Sequence, residues 1–199
     1  LAKSYKDDFI KIIDNNNPEE VSKIIYKNKD GLKIKTQPFN PLGKPRGIVR
    51  VAMKSIQKNS KKTKLIELPK RSPYGTLDVD KEKCTICLSC VSACPASALQ
   101  DNPDAPQLSF REDACLQCGI CVATCPEKAI KLVPQYNLDD NAMAAKVIIE
   151  DTPFDCISCG KTFGSTKSIE RIVNKLSKHS MFQNQKKTEI LKMCEDCRV

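Results

Sequence analysis

The chain has 199 residues, with 33 Lys/Arg against 24 Asp/Glu for a formal net charge of +9, 12 cysteines and no tryptophan. That length holds one domain or two small ones, and no region can rest on a large aromatic core. No apolar run approaches the ~20 residues of a membrane-spanning helix. Nothing marks the chain as secreted, so its 12 cysteines read as metal ligands rather than as a disulfide scaffold.

Charge is uneven along the chain. Residues 1–72 carry 18 Lys/Arg against 7 Asp/Glu, residues 73–133 carry 5 against 8, and residues 134–199 carry 10 against 9. The basic excess therefore lies ahead of the cysteines. The first residue is Leu1 rather than Met, which reads as a fragment or a processed product and leaves a removed targeting segment open.

In chain order, Phe9, Ile12 and Ile13, then Val21, Ile24 and Ile25, have helical spacing, broken by Asn15-Asn16-Asn17. Pro18 suits the first turn of the second helix. Residues 36–45 read as a loop, and Ile48, Val49, Ala52, Met53 and Ile56 predict a helix over 46–58. On it Arg46, Arg50, Lys54 and Lys58 form a basic stripe, followed by Lys61, Lys62 and Lys64. A solvated helix face and charged linker is the favoured reading, ahead of a docking surface for an acidic protein or nucleic acid. The aromatics Tyr5, Phe9, Tyr26 and Phe39 are not interleaved with the stripe, which weighs against nucleic acid. Gly43–Gly47 is too short and proline-broken for a phosphate loop.

Eight cysteines then form two copies of one pattern, 31 positions apart: Cys84, Cys87, Cys90 and Cys94-Pro95, and Cys115, Cys118, Cys121 and Cys125-Pro126. The x2, x2, x3 spacing with a trailing Pro is the iron–sulfur run of bacterial ferredoxins. Tight x2 gaps let one loop wrap a compact cluster, whereas a four-ligand zinc site needs no such triplet. The repeat extends to Leu77/Leu108, Val79/Phe110, Glu82/Asp113 and Ala98-Leu99/Ala129-Ile130. Each copy reads as a short strand, a cysteine loop and a short helix after Cys-Pro, with Asn102–Pro106 as the turn between copies.

Residues 74–133 thus resemble the bacterial 2[4Fe–4S] ferredoxins. The resemblance implies two [4Fe–4S] clusters with the fourth cysteine of each run crossing over. One set is Cys84, Cys87, Cys90 and Cys125; the other is Cys115, Cys118, Cys121 and Cys94. One departure stands out: Leu88-Ser89 follows Cys87 where the second copy has Gly119 after Cys118.

Residues 134–153, with the acidic pair Asp139-Asp140, read as a linker. Beyond it, Cys156-x2-Cys159-Gly160 resembles a zinc knuckle, and Cys194-x2-Cys197 supplies a second pair. Four thiolates make a closed tetrahedral site of structural type, with Zn²⁺ the favoured occupant; a single iron, a further iron–sulfur centre and redox dithiols remain open. Ile169, Ile172, Val173 and Leu176 predict an intervening helix, capped by Ser165 or Thr166. The lone histidine, His179, receives no role, and no nucleophile–base set is evident.

With Pro73–Asp80, Phe154–Gly164 and Cys194–Arg198 added, residues 36–199 resemble the C-terminal region of longer bacterial 4Fe–4S dicluster-domain proteins. The expected fold is α+β: a basic helical segment over 1–72, a ferredoxin-like domain over 73–133, a linker over 134–153 and a zinc-ribbon-like domain over 154–199. The expected function is single-electron relay, more a non-catalytic component than an enzyme. It would work between a protein donor and acceptor, in an oxidoreductase complex of the cytoplasm. An iron–sulfur or zinc accessory or assembly role is the alternative, with nucleic-acid binding less favoured.

Overall fold

A computed structural model describes residues 13–27, 38–58, 64–182 and 185–198. The chain divides into two compact units, Leu1–Ile66 and Glu67–Val199. The described part of the first holds two helices, α1 (Pro18–Lys27) and α2 (Pro45–Lys58). Asn17 starts α1 by accepting the Glu19 N–H at 3.0 Å through its side chain, and proline stands at the first position of both helices, where a missing N–H costs no bond. The helix expected around Phe9 and Ile12 lies outside the described residues. On α2 the basic stripe is not uniformly solvated, because Arg50 is buried.

A short strand, β1 (Leu65–Glu67), stands at the boundary. The second unit opens with β2 (Gly75–Val79), a cysteine loop, the short helix α3 (Ser89–Ser92) and β3 (Leu99–Asn102). The same order recurs in β4 (Ala105–Phe110), a second loop, α4 (Ile120–Thr124) and β5 (Ile130–Asn137). Each helix therefore precedes the Cys-Pro pair, and a strand follows it, correcting the expected order. Proline's bias of its predecessor toward extended backbone ends α4 at Cys125, whose φ and ψ are −68° and 112°.

The repeat closes on itself crosswise. The first strand, β2, pairs antiparallel with the last, β5, through Leu77↔Leu132 and Val79↔Ile130, while β3 pairs with β4 through Leu99↔Phe110. Two equivalent bonds lock the halves: Asp80 N–H donates to the Ala129 carbonyl and Arg111 N–H to the Ala98 carbonyl, each at 2.8 Å. Between the two strand pairs and the packed pair α3 and α4 lies a core of Ile86, Leu99, Leu108, Phe110 and Ile130 with Cys90, Cys115 and Cys121. Leu108 is 1% exposed, a burial that stabilises by about 2 kcal/mol.

Residues 134–153, expected as a linker, are built into this unit. Strand β5 runs on to Asn137, a 3-10 turn at Asp140–Met143 follows, and β6 (Lys146–Glu150) pairs with β4. Tyr136, Leu138, Ala142 and Ile149 are buried there. Asp139 starts the turn by accepting the Asn141 N–H.

The chain ends in a hairpin of β7 (Pro153–Asp155) and β8 (Thr162–Ser165), then α5 (Thr166–Leu176) and α6 (Gln185–Ile190). Ser165 caps α5 by accepting the Ser168 N–H, as the sequence predicts, an interaction of about 1 kcal/mol. Ile169, Leu191, Cys156 and Cys194 are buried in this part, and Phe154 meets Phe163 edge to face at 5.9 Å.

Candidate metal centres

The two cysteine loops have the same unusual backbone. Ile86 and Gln117 take φ of 53° and 54°, Leu88 and Gly119 take 59° and 79°, and Ser97 and Lys128 take 48° and 51°. Each pair is 31 positions apart. For a residue other than glycine the left-handed region costs about 1 kcal/mol, and more for β-branched Ile86. Such residues turn successive backbone N–H groups toward one point and make a concavity for an anion. Leu88 accordingly keeps the conformation that Gly119 adopts without a steric penalty.

Some of those donors reach sulfur. Ala98 N–H lies 3.3 Å from Cys94 Sγ and Ala129 N–H 3.3 Å from Cys125 Sγ, again an equivalent pair. Gln117 directs its backbone N–H and its Nε2 at Cys115 Sγ, both at 3.5 Å, while Nε2 also donates to the Thr76 carbonyl at 2.9 Å. Burial tends to push the Cys94 thiol up, but the N–H groups of Leu99, Ala98, Ala96 and Ser97 outweigh it and hold the thiol below its usual range. Elsewhere burial wins: Cys90 is pushed up to about 12, Cys121 up to about 11, and Cys84 and Cys115 upward. Free of metal, these thiols stay protonated at neutral pH, and metal uptake must release their protons.

Two cavities separate the eight cysteines. Cys84, Cys87, Cys90 and Cys125 line one, together with Ile86, Leu108 and Ile130. Cys94, Cys115, Cys118 and Cys121 line the other, with Leu77, Leu99, Phe110 and Leu132. Each set takes three cysteines from one loop and its fourth from the other copy. Soft thiolate donors around an apolar space suit an iron–sulfur cluster. Cys87 and Cys118 are exposed and mark the solvent side of each cavity.

Cys156, Cys159, Cys194 and Cys197 form a tighter group, all four Sγ atoms lying within 4.8 Å of one another. The knuckle turn is set by Gly160, at φ +74°, whose N–H donates to the Cys156 carbonyl at 2.9 Å. Cys194 N–H donates to Cys156 Sγ at 3.3 Å. Burial opposes ionisation of Cys156, yet the N–H groups of Cys194, Cys159 and Ser158 bring it down to about 6. The Ser158 hydroxyl draws Cys197 down, but Cys159 and Cys194 override it and push Cys197 up to about 12. Four thiolates this close repel one another, and a divalent cation between them relieves that repulsion. His179 stands apart from this group, its Nδ1 accepting the Met181 N–H at 3.3 Å.

Sequence reasoning missed the contacts that join the C-terminal part to the first loop. Ser165 Oγ donates to the Thr85 carbonyl at 3.2 Å, and Lys167 Nζ to the Lys81 carbonyl at 3.4 Å. Arg171 and Lys175 grip Glu127 at 2.6 and 2.9 Å. Only the four-residue spacing of the three cations was visible, with nothing to name their partner. Arg171 first, then Lys175, holds the Glu127 carboxyl down to about 2.

Among the described residues, no helix is long and apolar enough to cross a membrane. No curated protein matches the chain. Residues 83–130 match the family model of the 4Fe-4S dicluster domain. This stretch is a ferredoxin-type iron–sulfur domain, whose general chemistry is electron transfer with a protein redox partner.

Proposed function

We propose that the protein relays single electrons between protein partners through two [4Fe–4S] clusters. One is held by Cys84, Cys87, Cys90 and Cys125, the other by Cys115, Cys118, Cys121 and Cys94. The observation that carries this reading is the sorting of eight cysteines into two apolar cavities of four, each completed from the opposite copy. When bound, a cluster of this type accepts and releases one electron. The chain's part is to supply thiolates, hold them rigid on strained loops, direct N–H groups at sulfur and exclude water with Leu77, Leu99 and Ile130. Cys156, Cys159, Cys194 and Cys197 hold a structural Zn²⁺ that fixes the C-terminal part. The partners are a donor and an acceptor within an oxidoreductase system. Twelve cysteines serving as metal ligands suit a reducing compartment, and on that chemistry we place the protein in the cytoplasm.

Anaerobic reconstitution followed by redox titration tests the relay: two reversible one-electron centres are expected, and redox-silent clusters would sink it. Cys94→Ala tests the crossing. It should abolish the spectrum of the centre on the Cys115 loop; loss confined to the Cys84 loop would reverse the assignment. Metal analysis should give one zinc per chain beside the cluster iron, and a zinc-free protein ends that part of the reading.

A further inference from the structure

The two centres, on the reading above, are related by the repeat, but their electrostatic surroundings are not. Glu127, two residues beyond Cys125, lines the cavity of Cys84, Cys87 and Cys90. Its equivalent in the other cavity is Ala96. A carboxylate there opposes the extra negative charge of a reduced cluster. Helix α5 answers it with a stripe of cations at every fourth position. Arg171 places Nη2 2.6 Å and Nε 3.2 Å from the Glu127 carboxylate, and Lys175 Nζ lies 2.9 Å away. Lys167, one turn earlier, reaches the Lys81 carbonyl three residues before Cys84. Its own backbone N–H is held by Asp151 at 2.8 Å, and the Ser165 hydroxyl fixes the same loop at Thr85. Ahead of the second loop stand Glu112 and Asp113, where the first copy has Lys81 and Glu82.

Reduction adds one electron to a cluster, and nearby positive charge stabilises the reduced form while negative charge opposes it. We propose that Lys167, Arg171 and Lys175 of α5 raise the reduction potential of the Cys84/Cys87/Cys90/Cys125 centre above that of its twin, so that a single electron entering the protein comes to rest there. The C-terminal part is thus a tuning element for one centre. The inference rests on the two-cluster reading.

The test is an EPR-monitored anaerobic redox titration of the full chain, with Cys87→Ser used to mark the signal of the first centre. In the unmodified protein that centre should reduce first. Lys167→Gln, and separately the double substitution Arg171→Gln with Lys175→Gln, should lower its midpoint and leave the other centre unmoved. Glu127→Gln breaks the same ion pair yet should raise the midpoint, because it removes negative charge. A merely structural bridge would shift the Glu127 and Arg171/Lys175 variants in the same direction, and that result, or no shift in any variant, overturns the inference while leaving the relay intact. An unmodified protein without two reversible centres overturns the relay and the inference together.

Discussion

At Gly75 the backbone of β2 runs so close to its neighbours that a Cβ would collide with the Val133 carbonyl oxygen and lie 2.5 Å from Gln117 Cδ. The glutamine side chain could turn away, but the carbonyl belongs to the paired strand β5 and has no cheap escape. Gly75→Ala should therefore destabilise by about 1–3 kcal/mol, read as a lower anaerobic melting temperature. It should also perturb the spectrum of the Cys115 loop, because Gln117 is displaced from Cys115 Sγ; an unchanged melting temperature would refute the tight approach. Little of this is visible in the chain itself. Glycine at 75 has no equivalent glycine in the second copy, where position 106 is proline. The left-handed loop positions were only partly legible. Gly119 signals one of them, but Leu88, Ile86 and Gln117 adopt the same region with residue types that give no warning.

Among the elements, α5 shows best what periodicity can and cannot tell. Its apolar spacing and its Ser165 cap are local properties, and both were readable. Its docking partner is Glu127, some forty residues earlier, and no local signal names it. The Glu127 side chain is 12% exposed and its carboxyl is held at about 2, chiefly by Arg171. Because the folded value is depressed, the bridge contributes fully above the ordinary carboxylate value of 4.5 and is lost as pH falls toward about 2. Hydrogen exchange over residues 166–176, corrected for intrinsic rates, should show wild type more protected than Glu127→Gln above that range. The difference should shrink as pH falls below 4.5, and a difference undiminished down to the lowest pH at which the metal sites stay loaded would contradict the ion pair. The helices α3 and α4 were misplaced for a related reason: four- and five-residue helices are too short to form on propensity alone. Strand and loop contacts hold them, so their position could not be read from spacing.

For the molecule as a whole, cysteine spacing carried most of the legible information and short polar stretches carried little. The alternation in β2 and β4, the 31-residue repeat and the two cysteine runs follow from residue type and position, whereas the crossing of the fourth cysteine is what the ferredoxin resemblance implies. Residues 134–153 looked like a linker because Asn137–Asn141 is polar apart from Leu138 and the apolar stretch of β6 is brief. What orders them is pairing with β4, a non-local contact. The core of Ile86, Leu99, Leu108, Phe110, Ile130 and Ile149 lies entirely within Glu67–Val199. A fragment starting at Leu65, which keeps β1 whole, should hold its full iron content and both cluster spectra. Iron loss in that fragment, measured after anaerobic reconstitution, would show that the basic N-terminal segment takes part in holding the clusters.

On the proposed assignment, the crosswise fourth cysteine has a further consequence. Residues 84–94 give three ligands to one centre and one to its twin, and residues 115–125 do the reverse. Neither copy can complete a site by itself, so the domain behaves as a symmetric dimer written on one polypeptide. Loading then becomes cooperative. Damage is shared as well: oxidative loss of either cluster frees a cysteine on the loop that supplies three ligands to the other.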